Sequence, residues 1–122
     1  MCRGIAACLK PGGRFVTVNS SASLDFRTAP SYRPYGFETM ASGPWQEGTP
    51  VTWTFHLEDG PFSIENYHLP VSAHEEALRD AGFKEVRWVT PRLSAEAPSS
   101  FGAGFWETFL STPPITLLEA VR

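Results

Sequence analysis

Within its first twenty residues the chain passes from a helix through a tight turn into a strand, and that order limits the folds open to it. Cys2, Ile5, Ala6 and Leu9 fall at i, i+3, i+4 and i+7, one apolar stripe of a helix. Pro11 cannot continue that helix, and Gly12 or Gly13 can take the positive φ that a helix exit often needs. Phe15, Val16 and Val18 then give a nearly continuous β-favouring run, which predicts a strand covered on both faces. This is half of an αβ unit with no strand before its helix, so the sequence predicts a chain that enters its fold midway.

The remainder divides into an irregular stretch, a hairpin, a helix and two strands. Residues 20–50 are rich in Ser, Pro and Gly, and Pro30, Pro34, Pro44 and Pro50 interrupt any long element, so a loop or short helical turn is expected there. The aromatic residues in it need burial, which predicts that it folds over something. From Val51 to Leu57 apolar residues alternate, with Val51, Trp53, Phe55 and Leu57 on one face and Thr52, Thr54 and His56 on the other. Asp59-Gly60 signals a turn and residues 62–69 return, with a bulge expected near Glu65-Asn66 to bring Tyr67 and Leu69 onto the face of Phe62 and Ile64. Ser72 and Glu75 have the spacing of a capping box for a helix that buries Ala77, Leu78 and Ala81 and ends at Gly82. Strands are expected near 83–89 and 114–121, with a short helix between them turning Phe105, Trp106 and Phe109 inward.

Three of these segments carry a family resemblance. "LKPGGRFVTV" (residues 9–18) resembles the helix-turn-strand leading into the fifth strand of class I, Rossmann-like S-adenosylmethionine-dependent methyltransferases. "SAHEEALRDAGFKEVRWV" (72–89) is similar to the family's late helix and sixth strand, and "PPITLLEAVR" (113–122) to its closing seventh strand. The three segments fall along the chain in the family's order. The resemblance implies an α/β fold: a mixed sheet with the last strand (about 114–121) central between strands about 13–19 and 83–89, plus an inserted antiparallel hairpin (about 51–69). It implies one domain over 1–122 that is an incomplete methyltransferase C-terminal half, with 20–70 serving as a substrate lid. The family's glycine-rich loop after its first strand is absent: there is no G-x-G-x-x-G, and Gly102-Ala103-Gly104 is followed by Phe105-Trp106 and reads as a turn. S-adenosylmethionine is thus expected for a parent enzyme, with no cofactor-binding residue in this chain, which would be inactive alone.

Composition narrows the function classes. At 122 residues, 42% hydrophobic and 13% aromatic, the chain can bury a core. A net charge of −3 offers no electrostatic case for nucleic acid or an anionic membrane. No apolar run reaches the roughly 20 residues that span a bilayer, and the opening residues lack a signal-peptide core, so the expected compartment is the cytoplasm. Cys2 and Cys8 point about 240° apart on one helix, unsuited to a disulfide, and lack the partners of a metal site.

Candidate site residues follow from chemistry and position. Removing a proton from a methyl acceptor suits a histidine. His56 and His68 are the candidate bases, each facing either a substrate cavity or solvent, while His74 in a first helical turn is expected at the surface. Asn19 and Ser20 end the first strand, where open α/β sheets meet their ligands. Tyr32, Tyr35, Trp45, Trp53 and Tyr67 line either an acceptor pocket or the core. An unpaired edge on strand 13–19 would be adhesive, which predicts self-association into a homo-oligomer or pairing with a separate N-terminal half. The reading is a small-molecule methyltransferase's acceptor side. Its rivals are a stand-alone small-ligand-binding α+β domain and an interaction module working through that edge.

Overall fold

A computed structural model describes the backbone of residues 1–122 and the side chains of 1–97 and 100–122. The opening segment folds as its stripe requires. Helix α1 (Cys2–Cys8) buries Ala6 and half-buries Cys2, Ile5 and Leu9. Gly12 supplies the turn's positive φ of 77°, while a Cβ on Gly13 would lie 2.8 Å from the Lys10 carbonyl oxygen. Strand β1 (Arg14–Ser20) follows.

The first sheet has the order β1-β6-β5, where β5 is Glu85–Val89 and β6 is Ile115–Val121. The last strand is central, as expected. Both pairings are antiparallel, so the mixed sheet expected is an antiparallel one in its contacts: β1 and β5 run parallel but are separated by β6. Cross-strand pairs Phe15↔Ala120, Thr17↔Leu118, Val86↔Ala120 and Trp88↔Leu118 define one face. Helix α1 and helix α2 (Val71–Asp80) cover it, burying Leu78, Phe83, Leu118 and Ala120. The opposite face is open. Val16 and Val18 are 54% and 58% exposed, correcting the expectation of a strand covered on both sides. Burial on that face falls to Glu119, which accepts hydrogen bonds from the Arg14 and Arg87 guanidinium groups on either flanking strand.

Helix α2 starts two residues earlier than the capping-box spacing predicts. Pro70 is its N-cap, its carbonyl accepting from the Ala73 and His74 amides, and no side chain caps it. Glu75 instead accepts from Trp88 Nε1 at 3.1 Å and from Arg79 at 2.8 Å. Two other details differ: Ala77 is exposed, and His74 is partly buried. The helix ends as Gly82 predicts, at a φ of 98° with the Phe83 amide returning to the Leu78 carbonyl.

The segment expected as loop contains a strand, β2 (Phe37–Ala41), after a single 3-10 turn at Arg33–Tyr35. It joins β3 (Pro50–Leu57) and β4 (Gly60–Tyr67) in a second antiparallel sheet, order β2-β3-β4. The hairpin is continuous from Leu57↔Gly60 to Pro50↔Tyr67, with Glu58 and Asp59 at its tip. There is no bulge, so Tyr67 lies on the face opposite Phe62 and Ile64. The inner face presents Val51, Trp53, Phe55 and Phe37, packed against Leu24, Phe26 and Trp45 from the irregular stretches. Short helices α3 (Ala97–Phe101) and α4 (Glu107–Ser111) precede β6. Tyr35 ties α4 down: its hydroxyl donates to the Phe105 carbonyl and accepts from the Phe109 amide, with its ring stacked on Trp106.

Candidate functional site

A cavity of about 220 Å³ opens at the carboxyl end of β1, between the two sheets. Val18, Asn19 and Ser20 form its floor as β1 ends, and Ser21, Ala22 and Phe26 continue it. The exit of β4, from Asn66 through Tyr67 and His68 to Leu69, forms one wall, Trp45 another, and His74 of α2 reaches in from the side. Local bonding fixes these segments. The Ser21 amide donates to the Pro114 carbonyl, and His68 is held through both backbone groups, its amide donating to Thr49 and its carbonyl accepting from Gly48.

Trp45 stacks on the His68 imidazole with ring centroids 4.1 Å apart, and Phe26 packs against the indole at 6.0 Å. Burial holds His68 below the usual imidazole range, opposed only in part by nearby Asp25 and Glu47. His74 is lowered too, first by burial and then by His68, with its ring edge-on to Trp88. Both imidazoles are therefore neutral at pH 7 and can accept a proton. Among the described residues, no Asp, Glu, Lys or Arg lines the cavity. Two larger hollows, of about 350 Å³ near Trp88 and Thr90 and about 480 Å³ beside Arg87 and Glu119, are shallower and bring together no comparable set of aromatic and titratable groups.

The structure thus gathers Asn19, Ser20, Trp45, Tyr67 and His68 and separates the other candidates from them. Tyr32 is fully buried, its hydroxyl donating to the Thr112 carbonyl and pushed up to about 12 by burial. Tyr35 anchors α4, and Trp53 is core beneath the second sheet. His56 lies on that sheet's polar face, 2.7 Å from Glu38, which Arg33 also contacts. Sequence reasoning passed over Phe26, Thr49 and Asn66 and placed His74 at the surface. Only contacts across the fold reveal their positions.

The residues present do not fit S-adenosylmethionine. A nucleotide cradle of this kind needs a glycine turn from a strand into a helix. Among the described residues the positive-φ glycines follow helices or join strand to strand, none lies between a strand and the helix after it, and the β4-to-α2 connection is His68-Leu69-Pro70. No carboxylate in the cavity offers itself to ribose hydroxyls, and the volume lies below the roughly 300–1,000 Å³ usual for cofactor-sized sites. Among the described residues no cluster of His, Cys, Asp and Glu could hold a metal ion, and no helix is long and apolar enough to cross a membrane.

No family model matches the chain, and no curated protein does. Its fold is similar to the crystal structure of a Listeria monocytogenes protein provisionally assigned as an S-adenosylmethionine-dependent methyltransferase. The TM-score is 0.58 at 16% identity, over 99% of this chain and 53% of that one. The chain thus spans about half the length of that neighbour, and at this identity the likeness establishes a common fold.

Proposed function

We propose that the chain is the acceptor side of a small-molecule methyltransferase, the C-terminal part of an enzyme whose cofactor site is built by residues outside this chain. The observation that carries this reading is the cavity at the carboxyl end of β1, in a fold similar to a methyltransferase's, with a neutral imidazole in its wall. His68 accepts the proton of the acceptor nucleophile, and Asn19 and His74 orient it. The 20–70 insertion covers the acceptor as a lid. Because these residues do not cradle S-adenosylmethionine, activity requires more protein, and the unpaired outer edge of β1 with its open sheet face is where that protein or a second copy would associate.

The test is transfer of a labelled methyl group to a small-molecule panel by the chain extended upstream in its native reading frame. Replacing His68→Gln should lower the rate by about 10²–10⁴-fold without weakening cofactor binding. A variant with unchanged rate would remove His68 from the chemistry. The cavity brings two imidazoles and several aromatic rings together without a cofactor cradle beside it, which favours a second reading, a stand-alone ligand cup. That reading expects ligand binding and no transfer by any version of the chain.

A further inference from the structure

The Trp45–His68 wall is unusually well held for part of an irregular loop. The hydroxyl of Thr49, a buried residue, donates to the Pro44 carbonyl at 2.5 Å and accepts from the Gln46 amide at 3.0 Å, bracketing Trp45 on both sides. The loop is closed at its ends by Ser42 donating to Pro50 and Gly48 donating to His68. Trp45 is therefore a fixed platform, which spares a ligand the cost of ordering it.

Three properties of the cavity select what the platform receives. Its size exceeds the ~150 Å³ that holds a benzene ring and leaves little room for a second ring. Its described lining carries no charged side chain, and of the two carboxylates that act on His68 from beyond it, Asp25 is engaged by Arg27 through two nitrogens and Glu47 is exposed to solvent. A charged ligand would lose hydration with no counter-charge in the lining to replace it. The polar groups are amides, hydroxyls and two neutral imidazoles, which accept from an O–H or N–H donor.

We propose that this cavity binds one uncharged aromatic ring carrying an O–H or N–H group, packed beside the Trp45–His68 stack with its polar hydrogen directed at the His68 imidazole, with Thr49 as the positioning residue for the platform. This deepens the acceptor-side reading, on which it rests for its biological role, but its test needs no cofactor. Phenol, benzoate and benzylammonium are matched single-ring probes, titrated into the 122-residue chain and followed by amide and imidazole chemical shifts. The expected result is phenol binding that perturbs Asn19, His68 and His74, with benzoate and benzylammonium weaker by roughly tenfold or more.

Trp45→Ala should weaken phenol by at least about tenfold, because it removes both the aromatic wall and the ring that holds His68 in place. Thr49→Val should weaken it several-fold and narrow the gap between phenol and benzoate, and Thr49→Ser should restore both. A structural role for Thr49 alone would shift the melting temperature and leave that selectivity unchanged. Equal binding of the three probes, shifts confined to another surface, or no phenol binding by a folded wild-type chain would each overturn the proposal. None of these bears on the methyltransferase reading, which stands or falls on cofactor binding by the extended chain.

Discussion

The two sheets share a plan and differ in what covers them. Each has three strands, two of them flanking a central one in antiparallel pairing. The first is covered on one face by α1 and α2, whose apolar stripes meet Leu118 and Ala120. The second is covered by isolated aromatic side chains, Phe26 and Trp45, from stretches with no regular structure. A helix supplies its cover at a period of 3.6 residues, and a loop supplies it at no period. The second arrangement leaves a hollow where the loop, the hairpin exit and the end of β1 meet, and the candidate site is that hollow.

Cutting into either core should cost the most and test whether the two are independent. Trp53→Ala removes the centre of the second core and should cost about 3–5 kcal/mol, and Leu118→Ala in the first about 2–5 kcal/mol. Denaturant unfolding of each single variant and the double variant measures the coupling. Near-additive losses support separate cores, whereas a large coupling would mean that Ile115, which packs on the second core from the first sheet, joins them into one unit.

Acid should loosen the molecule in two stages. His68 and His74 have folded values below the usual 6.5, so their contribution is complete above pH 6.5 and is lost as pH falls through the folded values. Glu119, held below the usual 4.5 first by its Arg87 hydrogen bond and then by Arg14, contributes above that value and loses its contribution at lower pH. Melting temperature against pH should fall below 6.5 and again below 4.5. His68→Gln with His74→Gln should flatten the first step, and Glu119→Gln the second.

The open face of the first sheet provides a finer contrast. Val16→Thr exposes no new cavity and should stay within about 0.5 kcal/mol in dilute solution. A loss that grows with protein concentration would reveal that association covers this face. A modest gain is expected at Gly4, exposed in α1 with nothing within 4 Å of an added Cβ. Gly4→Ala should raise stability by about 0.5–1 kcal/mol in thermal unfolding.

The same contrast explains what the sequence made legible. The stripe of Cys2, Ile5, Ala6 and Leu9, the Gly82 turn and the alternation from Val51 to Leu57 are short-range patterns, and each element they specify is present. The position of β6 between β1 and β5 came from family resemblance, since local pattern alone does not set strand order. Strand β2 was missed because Phe37-Glu38-Thr39-Met40-Ala41 follows a Pro-rich stretch and gains its identity from pairing with β3. The Val16 and Val18 run reads as two-sided burial because apolar residues alone do not say whether a second layer exists. In the site, Trp45 and His68 are 23 residues apart in sequence, and only the closed loop around Thr49 stacks them.

The proposal that these residues form an acceptor side and leave the cofactor to others is open to calorimetric titration of S-adenosylhomocysteine into the 122-residue chain, beside the chain extended upstream in its native reading frame. Heat of binding is expected for the extended chain and none for the 122 residues. Binding by the short chain would overturn the proposal, because a complete cofactor site would then lie among the proposed acceptor and lid residues.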